Sequence, residues 1–142
     1  MTFHLPEFLP YLLNQASEAA SRDFETLYRA RYNMLRTEWR VLFHLGCYGD
    51  MTAKRICDMA TLHKTKVSRA VAALEDKRYV TRTADERDRR NETLSLTALG
   101  TKVFHDLSSA AESYEGKLAS DLTASEVKAL RATLLKLMRR QA

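Results

Sequence analysis

Glycine and proline are scarce, four of one and two of the other in 142 residues. That is too little punctuation for many short strands, so long helices joined by short turns are expected. No apolar run approaches the roughly 20 residues that a membrane span requires, and the opening MTFHLPEFLPYLL lacks the basic stretch of a secretory signal. Both absences point to a cytoplasmic protein with no membrane partner. Cysteine is equally rare. Cys47 and Cys57 have nine residues between them, a spacing of neither a redox CxxC pair nor a four-ligand zinc site, and both read as buried thiols. The four scattered glycines form neither GxGxxG nor a P-loop, so an enzyme is not expected, nor is a cofactor.

What is present is an ordinary globular balance, 45% hydrophobic and 29% charged, in a length that suits one domain over residues 1–142. The formal charge of +5 favours polyanions, and its location is more informative than its size. Residues 61–82 hold six basic side chains, Lys64, Lys66, Arg69, Lys77, Arg78 and Arg82, against only Glu75 and Asp76.

Helical spacing recurs along the chain. After Pro6 and Pro10, Leu12, Leu13, Ala16, Ala20, Phe24 and Leu27 share one face of a first helix ending near Tyr28. Thr37 is the expected N-cap of a second, which carries Trp39, Leu42, Phe43 and Leu45 inward and stops between Gly46 and Gly49. Thr52 caps a third helix with Ile56, Met59 and Ala60 inside. A fourth follows Leu62 after a tight turn, with Val67, Ala70, Val71 and Leu74 in one buried row. The pattern then turns β-like at 79–82 and 93–96 around the polar loop ADERDRRNE, a hairpin with a charged tip. Thr97 caps a long helix ending near Asp121, with Leu99, Val103, Leu107, Ala110, Tyr114 and Leu118 on one side. The last helix opens on a capping box, Thr123 with Glu126, and turns Val127, Leu130, Leu134 and Leu137 inward.

Two short helices across a tight turn followed by a hairpin make a winged helix-turn-helix, so the fold class is mainly α with a small β-hairpin wing. With one face of the fourth helix buried, Lys64, Thr65, Lys66, Ser68, Arg69 and Ala72 are left outside. These residue types suit a helix that enters a DNA major groove, Lys66 and Arg69 being favoured for base edges. In the wing, Arg87, Arg89 and Arg90 interleave with acids, so a charge count nearly hides them. Asp88 is placed to pin one arginine in a bidentate pair and shape the tip, leaving Arg90 for a minor groove.

The segments TEWRVLFHL, TKVSRAVAALEDKRYVTR and DERDRRNETLSLTALG, in this order and spacing, resemble the multiple antibiotic resistance regulator (MarR) family of winged-helix transcription regulators. The resemblance spans essentially the whole chain and is densest from Thr37 to Gly100. It implies a homodimer in which a winged unit at 33–98 reads half of a pseudo-palindromic double-stranded site, while helices at 5–31 and 97–140 dimerise. The long apolar rows on those helices fit a partner chain. The family's recognition positions fall on Thr65, Lys66, Ser68 and Arg69, and its wing motif on Asp85, Arg87, Asp88 and Arg90.

Many family members bind a small aromatic compound that releases DNA. Here Tyr28, Tyr32, Trp39, Arg40 and His44 are the candidate pocket, with Trp39 as core filling the competing assignment. Peroxide-sensing members use a cysteine in the N-terminal helical region, and this chain has none before Cys47. His4, His44, His63 and His105 are scattered with no HxxxH pair, so no metal is expected. A ligand-responsive repressor is the implied function. The alternative is an interaction module of the same fold that titrates another regulator without touching DNA.

Overall fold

The computed structural model describes residues 2–88 and 90–139. The chain divides into two compact units after Ser108. In the first, α1 (Leu9–Tyr32) and α2 (Arg36–Tyr48) precede a two-residue strand β1 (Met51–Thr52). Then come α3 (Ala53–Ala60), α4 (Lys64–Asp76), β2 (Val80–Ala84), β3 (Glu92–Leu96) and the start of α5 (Ala98–Leu118). The second holds the remainder of α5 and α6 (Ala124–Arg139).

The first unit's core takes one row from each helix, which is why 3.6-residue spacing identified them. Val41, Leu42 and Leu45 of α2, Ile56 of α3, and Val67, Val71 and Leu74 of α4 are all buried, together with Val80 and Leu94 of the sheet. Each such side chain contributes roughly 2 kcal/mol of transfer free energy. The sheet has the order β1-β3-β2, all antiparallel. Val80 pairs with Leu96 and Ala84 with Glu92, while Met51 and Thr52 pair with Leu94 and Thr93. The expected hairpin is thus a three-stranded sheet, because a two-residue strand is too short to show alternation.

Several helix ends follow from local chemistry. Thr52 Oγ1 accepts from the N–H of Arg55 at 3.2 Å, and Thr97 Oγ1 from Gly100 at 2.9 Å. Thr123 and Glu126 exchange the two bonds of a capping box, at 2.9 and 3.1 Å. Thr37, the expected N-cap of α2, sits inside its first turn instead. Leu35 is the N-cap, and Glu38 reaches back to accept from the Leu35 N–H at 3.2 Å. That carboxylate supplies the one half of a capping box that a leucine N-cap allows, since the Leu35 side chain has no acceptor for the Glu38 N–H.

The turn between α3 and α4 closes on Thr61, whose φ of 54° is left-handed, a conformation that costs a β-branched residue. Arg40 supports it from α2, donating from Nη2 to the Ala60 carbonyl at 2.7 Å.

Two packing expectations need correction. Cys47 is exposed and Cys57 half-buried, because they lie on the margins of α2 and α3 rather than on the buried rows. Along α6, Leu130, Leu134 and Leu137 are exposed, as are Leu99 and Leu118 of α5 and Leu12 and Leu13 of α1. The rows exist, but they are not covered within their own units. Among the described residues, no helix is long and apolar enough to cross a membrane.

Candidate nucleic-acid interface

Burial of Val67, Ala70, Val71 and Leu74 turns the opposite face of α4 to solvent. Lys64, Thr65, Lys66, Ser68, Arg69 and Ala72 are all exposed there. At 3.6 residues per turn, Thr65, Arg69 and Ala72 stand farthest from the buried row, while Lys66 lies about a quarter turn round, on the flank next to α2. The helix begins at His63, whose Nδ1 accepts from the Thr65 N–H at 3.2 Å. Sequence patterning missed this cap because histidine is outside the usual set of capping residues.

The cations of residues 61–82 divide into two groups. Lys77 Nζ donates at 2.7 Å both to Glu38 Oε1 and to the Asn33 carbonyl. Arg82 joins Glu75 at 3.2 Å and Glu92 at 3.4 Å, tying the wing to the end of α4. Lys64, Lys66 and Arg69 form no ion pair with an acid among the described residues. Lys77 and Arg82 are therefore committed to the fold; of the cations with no ion pair among the described residues, Lys64, Lys66 and Arg69 lie in the N-terminal half of α4, and the exposed Arg78 follows its end.

At the wing tip, Asp85 Oδ1 accepts from the backbone N–H of Arg87 and Asp88 Oδ1 from that of Arg90, each at 3.0 Å. The strand-like ends are drawn together by Asp85 N–H donating to the Asn91 carbonyl. Where a guanidinium was the expected partner of Asp88, the bond described goes to a main-chain N–H, the geometry of an Asx turn. The side chains of Arg87 and Arg90 are exposed with no acid paired to them among the described residues. Arg89 lies outside the described residues.

The five candidate pocket residues do not all converge. Tyr28 is buried and stacks on Trp39, with ring centroids 5.8 Å apart and planes 4° apart. Phe24 meets both rings edge-on, and Phe43 lies 5.0 Å from Trp39. Tyr32 turns elsewhere and donates its hydroxyl to Asp106, which also accepts from Arg31. Burial, then the Asp106 hydrogen bond, push the Tyr32 phenol up to about 12, and the same bond holds the Asp106 carboxyl below its ordinary range. Arg40 is committed to Ala60, and His44 Nδ1 lies 2.6 Å from the Arg40 carbonyl. Trp39 Nε1 is buried with no hydrogen-bond partner among the described residues. No cluster of three or more His, Cys, Asp or Glu side chains able to hold a metal occurs among them.

Between α2 and α4 lies a recess of about 250 Å³, lined by Leu35, Thr37, Glu38, Lys66, Arg69, Ala70 and Ala73. Its one acid, Glu38, is only 4% exposed and already holds Lys77 and the Leu35 N–H.

Residues 32–91 match the model of the MarR family. The chain is 26% identical over 124 residues to the uncharacterized HTH-type transcriptional regulator YwaE of Bacillus subtilis (strain 168), covering 87% of this chain and 72% of that protein. A MarR/EmrR family transcriptional regulator from Acinetobacter sp. ADP1 shares the fold with a TM-score of 0.86 at 25% identity, over 97% of each chain. The MepR protein of S. aureus, solved as a complex with DNA, matches with a TM-score of 0.83 at 21% identity, over 95% of this chain and 99% of its own.

Proposed function

We propose, from the premise that the chain belongs to the MarR family, that it is a sequence-specific double-stranded DNA-binding regulator and not an enzyme. In this proposal it acts in the cytoplasm as a homodimer and represses transcription until a small ligand releases it. The observation that carries the reading is the solvent face of α4, where Lys64, Thr65, Lys66, Ser68 and Arg69 are exposed and form no ion pair among the described residues, beside a wing offering Arg87 and Arg90. Arg89, between them in the sequence, is proposed to contact DNA as well. A MepR–DNA complex with this fold supports a nucleic-acid partner. The exposed apolar rows of α1, α5 and α6 support a second copy as the other.

In the mechanism, two copies of α4 enter successive major grooves about 34 Å apart, and the wings reach the flanking minor grooves. Arg69 donates in a fork to a guanine edge, and Arg90, with its backbone N–H fixed by Asp88, enters the narrow groove as a planar cation. Effector binding acts by changing the separation of the two recognition helices. The Trp39 indole N–H, buried without an acceptor among the described residues, is the group of the candidate pocket left open to an aromatic acid, Tyr32, Arg40 and His44 having partners of their own.

The test is fluorescence anisotropy against DNA from the gene's own upstream region and against scrambled DNA, from about 50 to 200 mM salt. Selective binding that survives the higher salt is expected. Weak binding that ignores sequence and collapses with salt overturns this reading in favour of the interaction module.

A further inference from the structure

We infer that the recess between α2 and α4 is a seat for one sugar–phosphate unit of the DNA backbone, with Thr37 and Lys66 as its polar contacts. This rests on the DNA-binding reading and deepens it, since it moves Lys66 from base reading to positioning.

Four observations carry the inference. First, the recess opens beside the recognition face, because Lys66, Arg69, Ala70 and Ala73 of α4 form one of its walls. A strand bordering the groove that α4 occupies must run along one flank of that helix, and α2 supplies the neighbouring wall here. Second, its electrostatics favour an anion. Lys66 and Arg69 are exposed with no acid paired to them among the described residues, whereas the charge of Glu38 is balanced by Lys77 at 2.7 Å.

Third, the floor is apolar, made by Leu35, Ala70 and Ala73, with Leu35 half-exposed. A deoxyribose ring presents carbon to such a floor while its phosphate turns toward the cation and the Thr37 hydroxyl. A base edge would find no pattern of donors and acceptors there to match it. Fourth, Lys66 lies about a quarter turn from the outermost line of Thr65, Arg69 and Ala72, on the α2 side. A flexible ammonium on that flank meets the backbone as a point charge, whereas Arg69, although it borders the recess, starts from the outermost line, from which a guanidinium fork can reach base pairs.

The experiment is a cycle on the full-length protein with its operator duplex. Lys66→Ala and Thr37→Val are each measured against unmodified DNA and against duplexes in which single phosphates are replaced by neutral methylphosphonates. Lys66→Ala is expected to lower the slope of log K against log salt by about 0.9, the value of one phosphate contact, while leaving the ranking of operator base variants intact. One methylphosphonate position should weaken wild-type binding several-fold yet have little further effect on Lys66→Ala or on Thr37→Val.

If Lys66→Ala keeps the full salt slope and relaxes base preference, Lys66 reads bases and the seat is overturned. Additive losses at every phosphate for both variants overturn it as well. Wild-type protein that lacks sequence selectivity altogether refutes the regulator reading itself, which separates the two failures.

Discussion

Lys77 Nζ lies 2.7 Å from Glu38 Oε1, and the carboxylate it meets is almost wholly buried. The pair joins the end of α4 to the first turn of α2, and the same ammonium holds the Asn33 carbonyl at the end of α1. Three helices of the first unit therefore share one charge. Removing a single partner leaves the other charge buried and uncompensated, so Lys77→Ala is expected to destabilise by about 3 kcal/mol. Urea unfolding measures the loss, and a change within about 0.5 kcal/mol would refute a structural role for the pair.

Tyr32 and Asp106 give a pH signature. Burial and the Asp106 hydrogen bond push the phenol up to about 12. A raised folded pKa contributes stability that is complete below the ordinary tyrosine value of about 10 and is lost as pH rises toward 12. Asp106 is held low by Tyr32 and Arg31. Its contribution is present above the ordinary carboxylate range and disappears as pH falls through the depressed value. A tyrosinate absorbance titration, with Tyr32→Phe to assign the step, should show Asp106→Asn bringing Tyr32 down while burial keeps it above 10. An unmoved step would mean that the hydrogen bond contributes nothing.

Gly100 tolerates no side chain. A Cβ there would stand 2.0 Å from the Tyr79 carbonyl oxygen, which also accepts from the Thr97 N–H at 3.0 Å. The start of α5 is thereby pressed against the residue that leads into the wing, and backbone cannot yield as a flexible side chain would. Gly100→Ala should cost about 3 kcal/mol or more by overpacking, read as a lowered urea midpoint. A midpoint equal to wild type would show that the two segments separate at no cost.

The helices and the exposed face of α4 were legible in the sequence because each depends on local spacing. Val67, Ala70, Val71 and Leu74 fall in one row by period alone, and that row fixes which cations face out. Thr52, Thr97 and Thr123 announce their helix starts because a hydroxyl at the N-cap acts within three residues. What escaped was tertiary. Nothing near Lys77 in sequence identifies its partner 39 residues away, so it counted as part of a basic surface. Arg40 read as a pocket donor until the Ala60 carbonyl appeared beside it. The recess walled by Thr37 and Lys66 joins two helices whose approach no periodicity describes.

The exposed row of α6 provides a test of assembly. Leu130 and Leu134 are 49% and 36% exposed, one helical turn apart, and a second copy is proposed to cover them. Leu130→Glu combined with Leu134→Glu should convert a dimer into monomers in sedimentation equilibrium, since burying two unpaired carboxylates costs more than an interface of this kind recovers. Retained dimer at micromolar protein would place the interface elsewhere.

Arg69 and Arg90 are expected to fail differently when removed. Arg69 stands on the outermost line of α4 with no acid paired to it among the described residues, and a bidentate contact with a base is the role proposed for it. Arg69→Ala should cost about 1 to 3 kcal/mol on the operator and much less on scrambled DNA, which narrows the gap between them. Arg90 sits at a tip shaped by Asp88, and a minor-groove cation senses groove width more than base identity. Arg90→Ala should weaken binding with little change in preference at the central base pairs. Asp88→Ala should reproduce part of that loss without altering the urea midpoint, because Asp88 and Arg90 are both exposed. Anisotropy titrations of the three variants against a panel of single base-pair substitutions decide the matter. Equal losses on every sequence from both arginine variants would show that α4 and the wing do not divide the work in this way.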